Sequence, residues 1–238
     1  MLSIIIPCYN EATTIREVVD KVLELGQGGL DIEVLVVDDG SKDKSLDVLH
    51  SLSGEAYKNL RVLPSPANQG KGAAIYRGLQ EARGEYVVIQ DADLEYDPAD
   101  IARMYELMIK EKADVVIGSR FGHGNAQFRY GLAYLANQFL TLLSNIFSRQ
   151  YVSDMETCYK MIRADVAKSF HLREKRFGFE PEIVARLARY GRTIRPLKWV
   201  EIPVSYQGRS FNEGKKIGAK DGIRAIYCII LYNLFPNV

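Results

Sequence analysis

The first half of the chain alternates between short apolar runs and longer amphipathic stretches. The runs carry Val, Ile and Leu at most positions, which is typical of strands buried on both faces of a sheet. We predict strands over residues 3–6, 32–37, 60–63, 86–89 and 114–117, and helices over 12–25, 44–52, 72–82 and 99–111. This order predicts an α/β fold, with a mostly parallel sheet and helices on both faces.

The second half of the chain is less regular. Apolar positions between residues 130 and 147 fall on one helical face, and residues 179–190 predict a further helix. Residues 193–206 predict one or two strands, and a short apolar segment at 225–235 follows a basic stretch. No repeat or linker-like boundary interrupts the pattern, so we predict a single domain over residues 1–238.

The composition adds constraints on partners and on compartment. With 31 basic and 30 acidic residues, the net charge of +1 provides no overall attraction to nucleic acid. Cys8, Cys158 and Cys228 lie far apart and form no CxxC pair, which argues against a disulfide framework or zinc site and favours a reducing, cytoplasmic compartment. No apolar run approaches the ~20 residues that span a bilayer.

Charged residues collect directly after the predicted strands. In open parallel sheets, ligands bind beyond the carboxyl ends of the strands. Three of the four segments that follow strands contain acids, and the last contains an arginine; they are residues 7–11, 38–41, 90–93 and 118–120. This edge of the sheet is therefore the predicted site.

The most acidic of these segments reads QDADLEYDP and holds carboxylates at alternate positions. A calcium loop of the EF-hand type would need Gly at its sixth position and Glu at its twelfth, where this chain has Tyr and Ala. Asp97 precedes Pro98 and is predicted to cap the helix that follows. Asp91 and Asp93 have the spacing at which two carboxylates share one Mg²⁺ or Mn²⁺ with a diphosphate, so the compensating positive charge is expected to arrive with the substrate.

Several ordered motifs resemble the inverting family-two glycosyltransferases of GT-A (Rossmann-like) fold. They are IPCYNE at 6–11, VVDDGS at 36–41, NQGKG at 68–72, DADL at 91–94 and GSR at 118–120. Later motifs resemble the branch of polyprenyl-phosphate hexosyltransferases, which includes dolichyl-phosphate mannosyl- and glucosyltransferases; they are DMETCYK at 154–160, FGFE at 177–180 and RSFNEGKKI at 209–217. The resemblance implies a nucleotide-sugar half at 1–120 and an acceptor half at 121–238.

The resemblance also implies roles for matching residues. The nucleotide pocket would be lined by Pro7, Tyr9, Glu11, Val37 and Asp39. The sugar-nucleotide and its metal would be held by Asp91, Ala92 and Asp93, with Glu95 as a possible third metal ligand. Arg120 would face the acceptor phosphate, while Arg209 and Lys215 would reach the donor diphosphate from a loop.

Lys71 belongs to a Gly-Lys-Gly sequence at the predicted start of a helix. Such a segment either binds phosphate at the helix N-terminus or serves as a simple turn, and the sequence leaves both open. It is not a Walker A loop, because the GxxxxGK[ST] spacing is absent. No GxGxxG follows the first strand, so a dinucleotide-binding dehydrogenase has no support.

The predicted reaction is an inverting transfer of a hexose from a UDP-glucose or GDP-mannose type of donor to a polyprenyl phosphate. The acceptor phosphate is anionic and needs no strong base. A sugar hydroxyl would need one, and Asp154 and Glu156 are the candidates. The alternatives are a soluble enzyme that extends a cell-surface glycan and a non-catalytic nucleotide-binding module.

The helix at 130–147 can pack in the core, form a dimer face or rest on a membrane. Its apolar stripe alone favours packing. The resemblance instead implies that this helix and the segment 225–235 lie on the cytoplasmic face of a membrane to receive a lipid acceptor.

Overall fold

A computed structural model describes residues 1–121, 131–208 and 219–235. The strands in the described residues are β1 (Leu2–Cys8), β2 (Ile32–Asp38), β3 (Leu60–Pro64), β4 (Tyr86–Ile89), β5 (Val115–Ser119), β6 (Lys160–Arg163) and β7 (Trp199–Pro203). The α-helices are α1 (Ile15–Gln27), α2 (Ser45–Ser51), α3 (Lys71–Glu81), α4 (Ala99–Glu111), α5 (Leu132–Ser148), α6 (Ala164–Ala167), α7 (Phe179–Thr193) and α8 (Ala219–Leu234).

The strands form one sheet in the order β3-β2-β1-β4-β6-β5-β7. All pairings are parallel except those of β6, which runs antiparallel to both β4 and β5. Every residue of β2 is buried, and so is all of β1 except the half-buried Pro7. Because successive side chains point to opposite faces, both faces of the sheet must be covered. The predicted α/β fold with a mostly parallel sheet is confirmed.

The strand β6 and the short helix α6 were not predicted from the sequence. Lys160 opens β6 and is completely buried, whereas a lysine in a sequence normally indicates a solvated position. Because β6 runs antiparallel to its neighbours, its first residue lies at the edge of the sheet where β4 and β5 end. The segment before β6 is thereby brought to the carboxyl edge, where ligands bind in such sheets.

The helices of the second half pack together beside this edge. α8 contacts both α5 and α7, and α5 contacts α7. The helix predicted over 179–190 extends to Thr193, and the strand predicted within 193–206 is limited to Trp199–Pro203. In the described parts of the chain, no helix combines the length and the apolar character required to cross a bilayer.

Candidate active site

A cleft of about 890 Å³ opens at the carboxyl edge of the sheet. The cleft is lined by the predicted site residues Pro7, Tyr9, Glu11, Asp39, Lys71, Asp91, Ala92, Asp93, Glu95, Arg120 and Glu156. Val37 and Asp154 are fully buried and lie outside the cleft lining. The predicted diphosphate-binding residues Arg209 and Lys215 lie outside the described residues.

The loop after β1, which carries Tyr9 and Glu11, is fixed by side chains of Asp43 in the β2–α2 connection and of Ser45 at the start of α2. The backbone N–H of Glu11 donates to Ser45 Oγ at 2.8 Å, and that of Ala12 donates to Asp43 Oδ2 at 3.1 Å. These two polar residues therefore have a structural task. They hold the first loop of the cleft in place.

Asp39 ties the end of β2 to the loop before α3. Its two carboxylate oxygens accept the backbone N–H groups of Gln69 at 2.9 Å and Gly70 at 2.7 Å. Burial raises the pKa of Asp39, and these two hydrogen bonds partly offset the effect. A carboxylate oxygen has a second lone pair, so Asp39 retains acceptor capacity for a ligand in the cleft.

The glycines around Lys71 permit a close approach of the backbone that precedes α7. A Cβ atom at Gly72 would lie 2.0 Å from the carbonyl oxygen of Glu174, and Gly70 has φ of +105°. The N–H of Ala73 in the first turn of α3 donates to the carbonyl of Lys175. Of the two alternatives for the Gly-Lys-Gly sequence, these contacts favour packing and turn formation over an open phosphate-binding helix end.

The Lys71 side chain provides a positive charge beside the acidic segment. Its Nζ lies 2.8 Å from Asp91 Oδ1 and 3.6 Å from Glu180 Oε1. The other oxygen of Glu180 pairs with the buried Lys160. Positive and negative side chains therefore alternate in the order Lys160, Glu180, Lys71 and Asp91, from the core to the cleft. Burial lowers the pKa of Lys71, but the charge of Asp91 and its neighbours more than offsets this and raises it well above the ordinary value. The expectation that compensating charge arrives only with the substrate was therefore incomplete.

Asp91 and Asp93, the two carboxylates predicted to hold a divalent cation, both line the cleft. No three His, Cys, Asp or Glu side chains converge on a metal position within the described ranges. Glu95, the possible third ligand, accepts a hydrogen bond from Tyr206 Oη at 2.9 Å and retains further acceptor capacity, so its role as a ligand stays a prediction. Mg²⁺ and Mn²⁺ commonly use one or two carboxylates and complete their shell with water and substrate phosphate. The pair at 91 and 93 fits a cation of that kind.

Arg120, which lines the cleft, forms a buried ion pair with Asp154. The guanidinium contacts both carboxylate oxygens at 2.7 Å, through Nε and Nη2. Asn137 of α5 donates a further bond to Asp154 at 3.2 Å, and the ring of Tyr206 lies 5.2 Å from the guanidinium carbon. Burial raises the pKa of Asp154, but Arg120 more than offsets this, so the net pKa is lowered. A carboxylate held in this way orients Arg120 and is a weak proton acceptor.

Glu156, the other candidate base, has a different environment. It lines the cleft, and its Oε1 is buried without a hydrogen-bond partner in the described structure. Burial, followed by the charge of Glu180, raises the pKa of Glu156 to about 7. The two acids of the DMETCYK motif are thus held with pKa values shifted in opposite directions.

Sequence reasoning had not included several residues of this site. Glu180 lies in a motif that was noted, but its link to Lys71 depends on the distance between α3 and α7. Tyr206 follows β7 in a segment without a distinctive pattern, and Asn137 lies on a helix that reads as an apolar stripe. Only the tertiary contacts bring these residues to the cleft.

Comparison with known proteins establishes the family. Residues 3–170 match the family model for glycosyl transferase family 2. The chain belongs to this family. A dolichyl-phosphate beta-glucosyltransferase (ALG5A) of Trichomonas vaginalis is 30% identical over 84% of this chain and 66% of its own length. A dolichol-phosphate mannosyltransferase of Pyrococcus furiosus is 36% identical over 52% of this chain and 34% of its own. The chain thus spans less than two thirds of the length of each of these two relatives.

This chain also resembles solved structures over almost its whole length. Glucosyl-3-phosphoglycerate synthase from Mycobacterium tuberculosis, in complex with Mn²⁺, uridine diphosphate and phosphoglyceric acid, superposes with a TM-score of 0.71 at 19% identity. The match covers 99% of this chain and 79% of the other. At this identity the likeness concerns the fold, and the predicted GT-A fold is confirmed.

Proposed function

We propose that this family-two glycosyltransferase moves a hexose from a nucleotide-sugar to a polyprenyl phosphate, with inversion and with a divalent cation. The observation that carries the proposal is the arrangement of charge in one cleft. In this cleft Asp91, Asp93 and Lys71 form one charged group, and Arg120, which is paired with the buried Asp154, forms a second. Two separate charged regions suit a reaction between two phosphate-bearing substrates. The dolichyl-phosphate enzymes among the relatives support this choice of acceptor.

The donor would bind on the side of the acidic pair. Asp91 and Asp93 would hold Mg²⁺ or Mn²⁺, which neutralises charge on the leaving nucleoside diphosphate when it is bound. The base and ribose would contact the loop after β1 and Asp39, with Val37 supporting the pocket from within the sheet. Arg209 and Lys215 would add positive charge to the diphosphate, as the family resemblance implies. Ala92, small and buried between the two acids, would leave room for the sugar.

The acceptor phosphate would bind at Arg120, which Asp154 and Asn137 hold in a fixed orientation. A phosphate oxygen attacks the anomeric carbon while the bond from that carbon to the diphosphate breaks on the opposite side. The oxygen already carries a negative charge, so no proton has to be removed. Asp154 therefore acts as a positioning residue in this scheme.

A lipid acceptor calls for a membrane surface, and α5 and α8 offer an exposed apolar face beside the cleft. α5 exposes Leu135, Phe139, Leu142 and Ile146, and α8 exposes Ile223, Tyr227 and Leu234. The same helices line the cleft through Ala136 and Ala225. We propose that this apolar face rests on a lipid bilayer, with the exposed Arg149 and Lys220 near its ends. The three buried free cysteines are compatible with the cytoplasmic side.

The test has a binding stage and a transfer stage. Thermal unfolding is measured with uridine or guanosine diphosphate, with and without Mn²⁺, because a bound ligand raises the melting temperature. The matching nucleotide-sugar, labelled in the sugar, is then incubated with polyprenyl phosphate in vesicles. We expect the label to enter the organic phase. Label that moves only to a water-soluble glycan would favour the glycan-extending alternative, and nucleotide binding without any transfer would favour the non-catalytic module.

A further inference from the structure

Glu156 is a carboxyl group of the cleft lining without an ionic partner among the described residues. It lies in the segment that precedes β6, two positions after Asp154, and it lines the cleft. Its Oε1 is buried and accepts no hydrogen bond from a described residue. A buried polar atom without a hydrogen bond lowers the stability of the fold. This carboxyl group is therefore expected either to be protonated or to form a hydrogen bond with a ligand.

The charged groups that face Glu156 are already paired with one another. Arg120 on the β5 side is bound by Asp154, and Lys160 at the start of β6 is bound by Glu180 of α7. A negative charge on Glu156 would therefore lie near the carboxylates of Asp154 and Glu180. The two nearby cations are already paired with those carboxylates and would compensate it little. The other charged residues lining the cleft in the described parts are Glu11, Asp39, Lys71, Asp91, Asp93, Glu95, Arg176 and Asp221.

We propose that Glu156 works as a neutral carboxylic acid that donates a hydrogen bond to a phosphate oxygen of the bound substrate, and that its ionisation opposes transfer. The inference rests on the proposed function in taking that substrate to be a phosphate. A protonated carboxyl has an O–H donor, whereas a carboxylate can only accept and repels a phosphate. The pKa of about 7 and the place of Glu156 among Arg120, Asp154 and Glu180 agree with this role.

The first experiment tests the protonation of Glu156 without any substrate. E156Q keeps the shape of the neutral acid and removes the ionisation. Because the folded-state pKa is raised, the wild type loses stability as pH rises from the ordinary value of 4.5 through about 7, and the variant does not. We expect the melting temperature of E156Q, relative to that of the wild type, to increase as the pH is raised from 5 to 8.5. E106Q, an exposed glutamate on α4, should show no such gain. A constant difference for E156Q would overturn the proposal.

The second experiment measures transfer from the nucleotide-sugar to a short-chain prenyl phosphate as a function of pH. The acceptor phosphate titrates in the same range, so the quantity compared is the ratio of E156Q to wild-type kcat/KM at each pH. With a pKa of about 7, this ratio should rise about 30-fold between pH 6 and pH 8.5. A wild-type rate that rises with pH while E156Q is inactive throughout would instead identify Glu156 as a general base and overturn the proposal.

The same measurements show whether the phosphate that contacts Glu156 belongs to the acceptor or to the donor. They also distinguish a missing Glu156 hydrogen bond from a wrong transfer reaction. If the contact is to the acceptor, the pH-dependent ratio appears in kcat/KM for the prenyl phosphate. If the contact is to the donor, it appears in the dissociation constant of the nucleoside diphosphate. Both results support the hydrogen bond. If the proposed function is wrong, the melting temperatures still show the protonation of Glu156, but no prenyl phosphate accepts the sugar. If only the role of Glu156 is wrong, transfer occurs and the ratio of E156Q to wild-type kcat/KM does not change with pH.

Discussion

The ammonium group of Lys71 lies 2.8 Å from a carboxylate oxygen of Asp91, and this contact joins the start of α3 to the loop after β4. Both side chains are largely buried. The pair therefore places a positive charge of the protein itself among the acids that are proposed to hold a cation. Any cation that binds Asp91 must compete with Lys71, and a diphosphate that arrives with the cation offers Lys71 a new partner.

Replacing Lys71 with Met tests this competition. Met retains an unbranched side chain but removes the charge, so Asp91 loses its partner. We expect K71M to bind Mn²⁺ alone more tightly and to bind the nucleoside diphosphate about tenfold more weakly, since a charged hydrogen bond is lost. Titration calorimetry with each ligand measures both effects. K110M removes an exposed lysine from α4 and serves as the control. Unchanged affinities in K71M would contradict the competition.

Two acids of the acidic segment, Asp93 and Asp97, are expected to have different tasks. We expect D93A to lower transfer by about 10²-fold, because a proposed ligand of the metal–diphosphate complex is lost. D97A removes the acceptor of the Ala99 N–H at the start of α4 and should cost about 1 kcal/mol of stability with little effect on transfer. Steady-state rates and urea unfolding of both variants provide the measurement. Near-native turnover of D93A in Mg²⁺ or Mn²⁺ would refute the metal role.

The first five strands could be predicted from the sequence because each is a short, nearly continuous apolar run between turn signals. Their carboxyl ends could then be assigned to one edge, and this located most of the cleft. The strand β6 could not be predicted, because its buried Lys160 is acceptable only next to Glu180, which is twenty positions away. The same holds for the partners of Lys71 and Arg120. Local patterns indicate elements, whereas buried ion pairs depend on how those elements pack.

Removing one partner of the buried Arg120–Asp154 pair should be strongly destabilising in the neutral range. D154N leaves the arginine buried without its counter-charge, and the expected cost at pH 7 is about 3–5 kcal/mol. The folded-state pKa of Asp154 is lowered, so this contribution is present above the ordinary value of 3.8 and is lost as pH falls below it. Urea unfolding at pH 7 and pH 3 measures the difference.

The control for this variant is D165N, which breaks the exposed pair of Arg163 and Asp165 at the surface. Exposed pairs contribute about 0–1 kcal/mol, so D165N should change stability far less than D154N. Equal losses in the two variants would show that the burial of Asp154 has no special energetic effect. The comparison therefore measures how much more it costs to leave a buried charge unpaired than an exposed one.

The close contact at Gly72 predicts a large effect of adding one methyl group. A Cβ atom there would meet the backbone oxygen of Glu174 at 2.0 Å, and a backbone atom cannot turn away as a side chain can. We expect G72A to lose about 1–3 kcal/mol in urea unfolding. G222A in α8 meets no atom within 4 Å and should instead gain up to about 1 kcal/mol from helix propensity. A neutral G72A would mean that the connector before α7 shifts freely.

The apolar face of α5 and α8 allows a direct test of the lipid surface. Phe139 is 55% exposed on α5, and Ile109 is 48% exposed on α4 at another part of the molecule. Placing a charge in a face that enters a bilayer removes apolar burial and adds a desolvation cost. We therefore expect F139D to reduce sedimentation with anionic phospholipid vesicles by tenfold or more, about 1.4 kcal/mol, whereas I109D leaves it unchanged.

The same pair of variants separates a membrane from a second copy of the chain as the cover of this face. If the face were a dimer interface, F139D would convert a dimer into a monomer in sedimentation equilibrium, and neither wild type nor variant would bind vesicles. A lipid surface predicts the reverse, because vesicle binding depends on Phe139 while the mass in solution does not. The acceptor would then reach Arg120 along the helices that rest on the bilayer, since Ala136 and Ala225 of those helices line the cleft.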